Sequence, residues 1–139
     1  IDAVSHNALL LVDTISSLGS IDYRHDEWGV DVTVAGSQKG LMLPPGLSFN
    51  ALSEKALAAA RKGGMRRSYW DWEDHIAANK DGAFPYTPAT NLLYGLARFL
   101  NDLFSMKYLS KTSLLKTHSI CFLCWVAYIQ ACILDVNTL

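Results

Sequence analysis

The chain has 139 residues, half of them apolar, and a formal net charge of −1. That size and apolar content suit one globular unit with a sizeable core. Near-neutrality argues against nucleic acid or an anionic membrane surface as the main partner, because both need a basic excess. The three cysteines, Cys121, Cys124 and Cys132, all fall near the C-terminal end; they make no disulfide framework, and a reducing compartment is permitted. The opening at Ile1 shows no basic n-region or cleavage site, and the missing Met reads as an internal piece of a longer protein. Asn137-Thr138-Leu139 is not a peroxisomal Ser-Lys-Leu address.

In chain order, Ala8-Leu9-Leu10-Leu11-Val12 is a short apolar run ending at Asp13, which predicts a strand buried on both faces, as in a parallel sheet. Ser16 to Ser20 is turn-like, and Tyr23 to Trp28 reads as a charged, exposed connection. The β-branched segment Val30 to Ala35 predicts a second strand ending at Gly36. Pro44-Pro45-Gly46 is a turn, followed by a third strand over Leu47 to Leu52. Ser53 to Gly63 carries a full helix signature, with Ser53 as N-cap, an alanine-rich interior, basic residues in the last turn and Gly63 at C′. A second helix, rich in aromatics, is expected over Tyr69 to Asn79. Pro88 at the first helical position predicts a third, with Leu92, Leu93, Leu96, Phe99, Leu100 and Leu103 on one stripe. Strands followed by helices indicate an α/β layered domain.

Ligands of an open α/β sheet gather at the carboxyl ends of its strands. Two predicted strands end at Asp13 and just before Lys39, which would bring an acid and an amine to one edge. That pair suits pyridoxal phosphate: the carboxylate keeps the pyridine nitrogen protonated, and the amine holds the aldehyde carbon as an imine and then serves as general base. The plainer reading is a surface lysine and a turn-forming aspartate, and spacing alone does not choose between the two.

The motifs around them do. Leu11 to Gly19, Asp26-Glu27-Trp28-Gly29-Val30-Asp31-Val32, Gly36-Ser37-Gln38-Lys39-Gly40, Pro44-Pro45-Gly46-Leu47 and Pro85 to Leu96 together resemble the class V aminotransferases of the alanine–glyoxylate and serine–glyoxylate type, over residues 1 to about 104. The resemblance implies part of a fold-type-I large domain, a mostly parallel sheet with flanking helices, without the C-terminal small domain. It implies Asp13 at the pyridine nitrogen, Ile15 on the ring face, Gln38 at the phosphate and Lys39 as the Schiff-base lysine. A Tyr-x-x-Thr pair in this family reaches the phosphate of the neighbouring subunit, implying a homodimer. Thr87 falls on the threonine; the tyrosine position carries Phe84, which lacks the hydroxyl, and Tyr86 is a displaced candidate. The segment from Phe84 to Pro88 also reads simply as the approach to a helix. Cysteine desulfurases place His before the lysine, where Gln38 stands, so that chemistry is a distant third. His25 and His75, in charged stretches, read as surface histidines.

After Phe104 the composition changes. Residues 105–139 no longer resemble the family and read as a truncation or misread 3′ end. Within them Ser119 to Leu134 is apolar but shorter than the roughly 18–20 residues of a bilayer span. Cys121-x-x-Cys124 with His118 and Cys132 invites a zinc reading, yet the turn residues of a metal knuckle are missing, so buried thiols are expected and no metal. The expected activity is transfer of an amino group from L-alanine or L-serine to glyoxylate; the alternative is a catalytically incomplete fragment of such an enzyme, lacking the upstream phosphate loop and the substrate-carboxylate arginine. Small-molecule amino acids and 2-oxo acids are the expected partners, in the cytoplasm, or in peroxisomes or mitochondria for a eukaryotic source.

Overall fold

The computed structural model describes residues 6–105, the last three through their backbone alone. Three strands, β1 (Leu11–Asp13), β2 (Val32–Gly36) and β3 (Ser48–Leu52), form one sheet in the order β1-β2-β3. β1 and β2 are parallel, with Asp13 opposite Val34, whereas β2 and β3 are antiparallel, with Gly36 opposite Ser48. The sheet is therefore mixed among the described residues, not mostly parallel. The reason lies in the β2–β3 connection, residues 37–47, which holds no helix and is folded back by Pro44-Pro45-Gly46. A parallel return requires a crossover, usually through a helix, that this segment does not make.

β1 also departs from expectation. It is short and open, with Leu11 63% exposed and Asp13 exposed, where burial on both faces is predicted. Its ladder begins late because the Asp31 carboxylate takes the Leu10 N–H at 2.9 Å. Only β2 pairs with it among the described residues.

The two faces of the sheet carry separate apolar clusters. α1 (Glu54–Lys62) packs Ala56 and Leu57 against Val32 and Leu52, with Trp72 and Ile76 of α2 (Trp72–Lys80) at the margin. On the other face Leu96, Ala97 and Leu100 of α3 (Thr90–Ser105) meet Ala35, Phe49 and Leu41. The cross-strand pairs Val32–Leu52 and Ala35–Phe49 show the alternation that sends neighbouring residues to opposite layers.

The helix ends follow their local chemistry. Ser53 Oγ accepts the Ala56 N–H at 3.1 Å and opens α1. Gly63 closes it in an extended conformation (φ −69°, ψ 125°) with its N–H on Ala60 O, not in the left-handed geometry of a C′ glycine. The predicted helix from Tyr69 is divided into a 3₁₀ turn, Ser68–Trp70, and α2. The division falls at Asp71, whose carboxylate accepts the Glu73 N–H at 3.1 Å; a short acceptor side chain competes with helix continuation and favours a cap. Pro88 precedes α3 by two residues, and its carbonyl accepts the Thr90 N–H at 2.9 Å. No described helix is long and apolar enough to cross a membrane. The Leu103 side chain, His118, the three cysteines and the apolar run from Ser119 to Leu134 lie outside the described residues.

Candidate active site

Parallel pairing of β1 and β2 brings their carboxyl ends to one edge of the sheet, and the acid and the amine both leave from that edge. Asp13 is the last residue of β1. Its Oδ1 accepts the Ile15 N–H at 2.8 Å, a local turn that fixes the carboxylate, while no hydrogen bond among the described residues engages Oδ2. Thr14 is buried and donates both its N–H (2.8 Å) and its hydroxyl (3.1 Å) to Val34 O, so the residue after the aspartate is fastened to β2. Thr14 O then accepts from Ser17 and Leu18, closing a turn beside which Ile15 is half-buried.

Lys39 rises from the loop after β2, exposed to solvent. Its carbonyl accepts the Met42 N–H at 2.8 Å, and Met42 holds φ +55°, a left-handed conformation that side-chain-bearing residues seldom adopt. Gln38 folds its amide back over Gly36: a Cβ there would lie 2.8 Å from Gln38 Oε1. Gly40 packs its backbone on the turn after β1, where a Cβ would overlap the Leu18 carbonyl, and Gly19 (φ +77°) faces it with a Cβ position 3.3 Å from Gly40 C and O. The loop bearing Lys39 thus rests directly on the turn bearing Asp13. This glycine-to-glycine seat was not evident from sequence, since its two halves are twenty-one residues apart.

Ser37, also unmarked by sequence reasoning, is fully buried. Its hydroxyl donates to Pro44 O at 2.7 Å and accepts the Leu47 N–H at 3.2 Å. A small polar residue directly after β2, between Gly36 and Gln38, was the available signal.

Thr87 and Phe84 stand apart from this edge in sequence, on the connection between α2 and α3. Thr87 is exposed and Phe84 half-buried. Tyr86 between them is exposed and sits 5.0 Å, ring to ring, from Tyr69, which in turn meets His75 edge-on at 5.8 Å. α3 itself leans on the Lys39 loop: a Cβ on Gly95 would lie 2.8 Å from Leu43 Cδ2, and one on Gly46 2.6 Å from Leu92 Cδ1.

His25 is not on the surface. It is 1% exposed, and its Nδ1 shares a 2.6 Å hydrogen bond with Thr33 Oγ1, which also bonds Tyr23 Oη at 2.6 Å. The segment Tyr23 to Trp28 therefore turns two of its residues inward, because the Val30 N–H returns to His25 O and the Trp28 N–H to Arg24 O. Burial lowers the His25 pKa from its ordinary value, with Asp26 and Asp31 pulling weakly the other way. Burial likewise raises the Tyr23 hydroxyl, against the Thr33 hydrogen bond. Asp31 is buried too. Burial alone would raise its pKa, but hydrogen bonds from Leu10 N–H, Ser53 Oγ and Lys55 Nζ, and the Lys55 charge, bring it below the ordinary value. Among the described residues no group of three His, Cys, Asp or Glu side chains could hold a metal ion.

A family model described as Aminotransferase class-V matches residues 2–118. The chain belongs to that family. The match runs past the change in composition near residue 104. Over 109 residues this class-V chain is 53% identical to the serine–glyoxylate aminotransferase of Methylorubrum extorquens, covering 75% of this chain and 27% of that protein. It is 48% identical over 96 residues to the L-aspartate–glyoxylate aminotransferase of Paracoccus denitrificans, covering 69% and 24%. Among solved structures it is similar to a subgroup IV aspartate aminotransferase of Thermus thermophilus, with a TM-score of 0.61 and 39% identity over 68% of this chain and 26% of the other. The fold is thus that of an aminotransferase piece, and the chain spans about a quarter of the length of the curated relatives it matches.

Proposed function

We propose that this chain carries the lysine-bearing edge of a pyridoxal-phosphate transaminase that uses glyoxylate as amino acceptor and L-serine or L-alanine as donor. The observation that carries the reading is the pairing of β1 with β2, which sends a carboxylate and an amine from one sheet edge, in a class-V chain. Two relatives named for glyoxylate support the acceptor, and the 53% identity to a serine–glyoxylate enzyme supports serine as donor.

The donor set fits the cofactor. Asp13 offers a fixed carboxylate with one oxygen uncommitted, Gln38 an amide over bare glycine backbone, and Lys39 an exposed primary amine. Bound there, pyridoxal phosphate supplies an electron sink for the electrons left when an amino acid loses its α-proton. Asp13 would keep the ring nitrogen protonated, and Ile15 would supply an apolar wall for the ring. Gln38 would donate to the phosphate, and Thr87 would be supplied to the neighbouring copy of a homodimer. Phe84 brings no hydroxyl to that contact, which leaves Tyr86 as the nearby phenol. Lys39 Nζ would hold the cofactor, and the same amine would be the base that takes and returns the α-proton of the substrate.

The test is covalent. The full chain is mixed with pyridoxal phosphate, reduced with borohydride and digested with trypsin. Modification of Lys39 blocks cleavage there, so a pyridoxyl-bearing peptide running from His25 to Lys55 is expected. Label confined to other lysines would overturn the reading.

A further inference from the structure

We propose that Ser37 is a positioning residue for Lys39: its buried hydroxyl closes the loop of residues 37–47 and thereby sets where the amine stands against Asp13. The inference rests on the reading of Lys39 as the cofactor amine. Every polar group of Ser37 is spent on the two ends of this loop. Its N–H donates to Leu47 O at 3.2 Å and its carbonyl accepts the Leu43 N–H at 3.0 Å. Its hydroxyl joins Pro44 O and the Leu47 N–H at 2.7 and 3.2 Å. These four bonds knot residues 43, 44 and 47 to a single buried residue, two positions before Lys39.

The rest of the loop is held by packing that the knot organises. Leu41 is buried in the cluster with Leu96 and Leu100, and Leu43 and Leu47 lie at its margin. Between the knot and Leu41, the backbone of Gly40, the residue next to Lys39, is pressed on the Gly19 turn. A lysine side chain has four flexible torsions, so the protein controls its amine mainly by fixing its Cα and the direction of departure. Loosening the base of the loop by even an ångström would misplace the amine, and misplacement of reacting groups on that scale can cost about a hundredfold in rate. The hydroxyl is the member of the knot that can be removed without touching the backbone.

The experiment compares the full chain with Ser37→Ala and Ser37→Cys by two measurements. The first is amide hydrogen exchange, with Ala35 and Phe49, paired in the β2–β3 ladder, as folding controls and Met42, Leu43 and Leu47 as loop reporters. The second is the rate of borohydride-trapped pyridoxyl label at Lys39 under sub-saturating pyridoxal phosphate. With alanine, the ladder stays protected, the loop reporters exchange faster, and labelling at Lys39 slows about tenfold. Cysteine, of similar size but a weaker hydrogen-bonding group, falls between. Labelling of Ser37→Ala at the rate of the unaltered chain overturns the proposal, as does a loss that merely tracks loss of ladder protection. Should the alanine variant unfold, the cysteine variant decides by the same criteria. Failure of the unaltered chain to label at Lys39 strikes the cofactor reading instead; Ser37 is then judged by exchange, and unchanged loop reporters in the variants overturn its role.

Discussion

The Tyr23–Thr33–His25 cluster allows a stability prediction to be worked from geometry. Thr33 Oγ1 is the shared atom of two 2.6 Å hydrogen bonds, to Tyr23 Oη and His25 Nδ1, and all three residues are buried, at 6%, 4% and 1% exposure. Thr33→Val keeps the shape and the β-branch suited to β2 but removes the hydroxyl. Both partners are then left without it, and each orphaned buried polar group costs about 1–3 kcal/mol. Water reaching the Tyr23 edge would recover part of this, giving a net loss of about 2–4 kcal/mol, a large share of the roughly 5–15 kcal/mol that domains have. Urea unfolding at pH 8, followed by tryptophan emission, is the assay; Trp28 stacks edge-on with Tyr23 at 5.4 Å and reports on the site. With an m-value of about 1–2 kcal/mol per molar, the midpoint should fall by about 1–4 M, and Thr33→Ser should recover most of it. A shift for Thr33→Val below about 0.3 M, roughly 0.5 kcal/mol at that slope, would refute the claim that this hydroxyl organises the cluster.

Acid should weaken the chain in two windows. The folded pKa of His25 lies below its ordinary value, so the unfolded chain takes up the proton first, and stability present above about pH 6.5 drains as the pH falls through it; stability measured from pH 8 to 5 should show this loss, and His25→Gln should flatten it. The lowered pKa of Asp31 gives the same sign further down, with stability lost as the pH falls below about 3.9, and Asp31→Asn should remove that step in acid titrations. Ser53→Ala deletes both the cap to Ala56 and the donor to Asp31 Oδ1; a loss of about 1–2 kcal/mol in urea is expected, and no loss would mean α1 is held by packing alone. Gly19→Ala places a side chain at φ +77° against Gly40, and at least about 1 kcal/mol should be lost with it.

The elements were legible where local chemistry decides them. The cap at Ser53, the β-branched run into Gly36 and the leucine stripe of α3 all depend on neighbours within a turn or two, and all three formed with only small shifts of boundary. Errors arose where a distant group intervened. The apolar run from Ala8 to Val12 predicted a strand buried on both faces, but the Asp31 carboxylate holds the Leu10 N–H, the ladder starts only at Leu11, and Leu11 is exposed. Charged neighbours predicted an exposed His25, but a hydroxyl on β2 gave its ring a buried partner. Direction of pairing was half legible. The helix-free connection of residues 37–47, turned at Pro44-Pro45-Gly46, already points to an antiparallel return, whereas the layer it lies against depends on what Leu41, Leu43 and Leu47 pack on.

The same division runs through the candidate site. Residue types announce the chemistry available: a carboxylate to hold a cation, an amine to attack a carbonyl, an amide for phosphate. What brings their segments together is the parallel register of β1 with β2 and the contact of Gly19 with Gly40, each joining segments about twenty residues apart. In the proposed site Asp13 and Lys39 would carry the reactive groups, yet among the described residues no hydrogen bond joins the two side chains. Instead Thr14 ties the aspartate's turn to Val34 O, and Ser37 ties off the lysine's loop. Both hydroxyls are buried on the protein side of the exposed residues they support. A substitution at either should therefore disturb the site while leaving its ionisable groups untouched, which distinguishes holding a reactive group in place from being one.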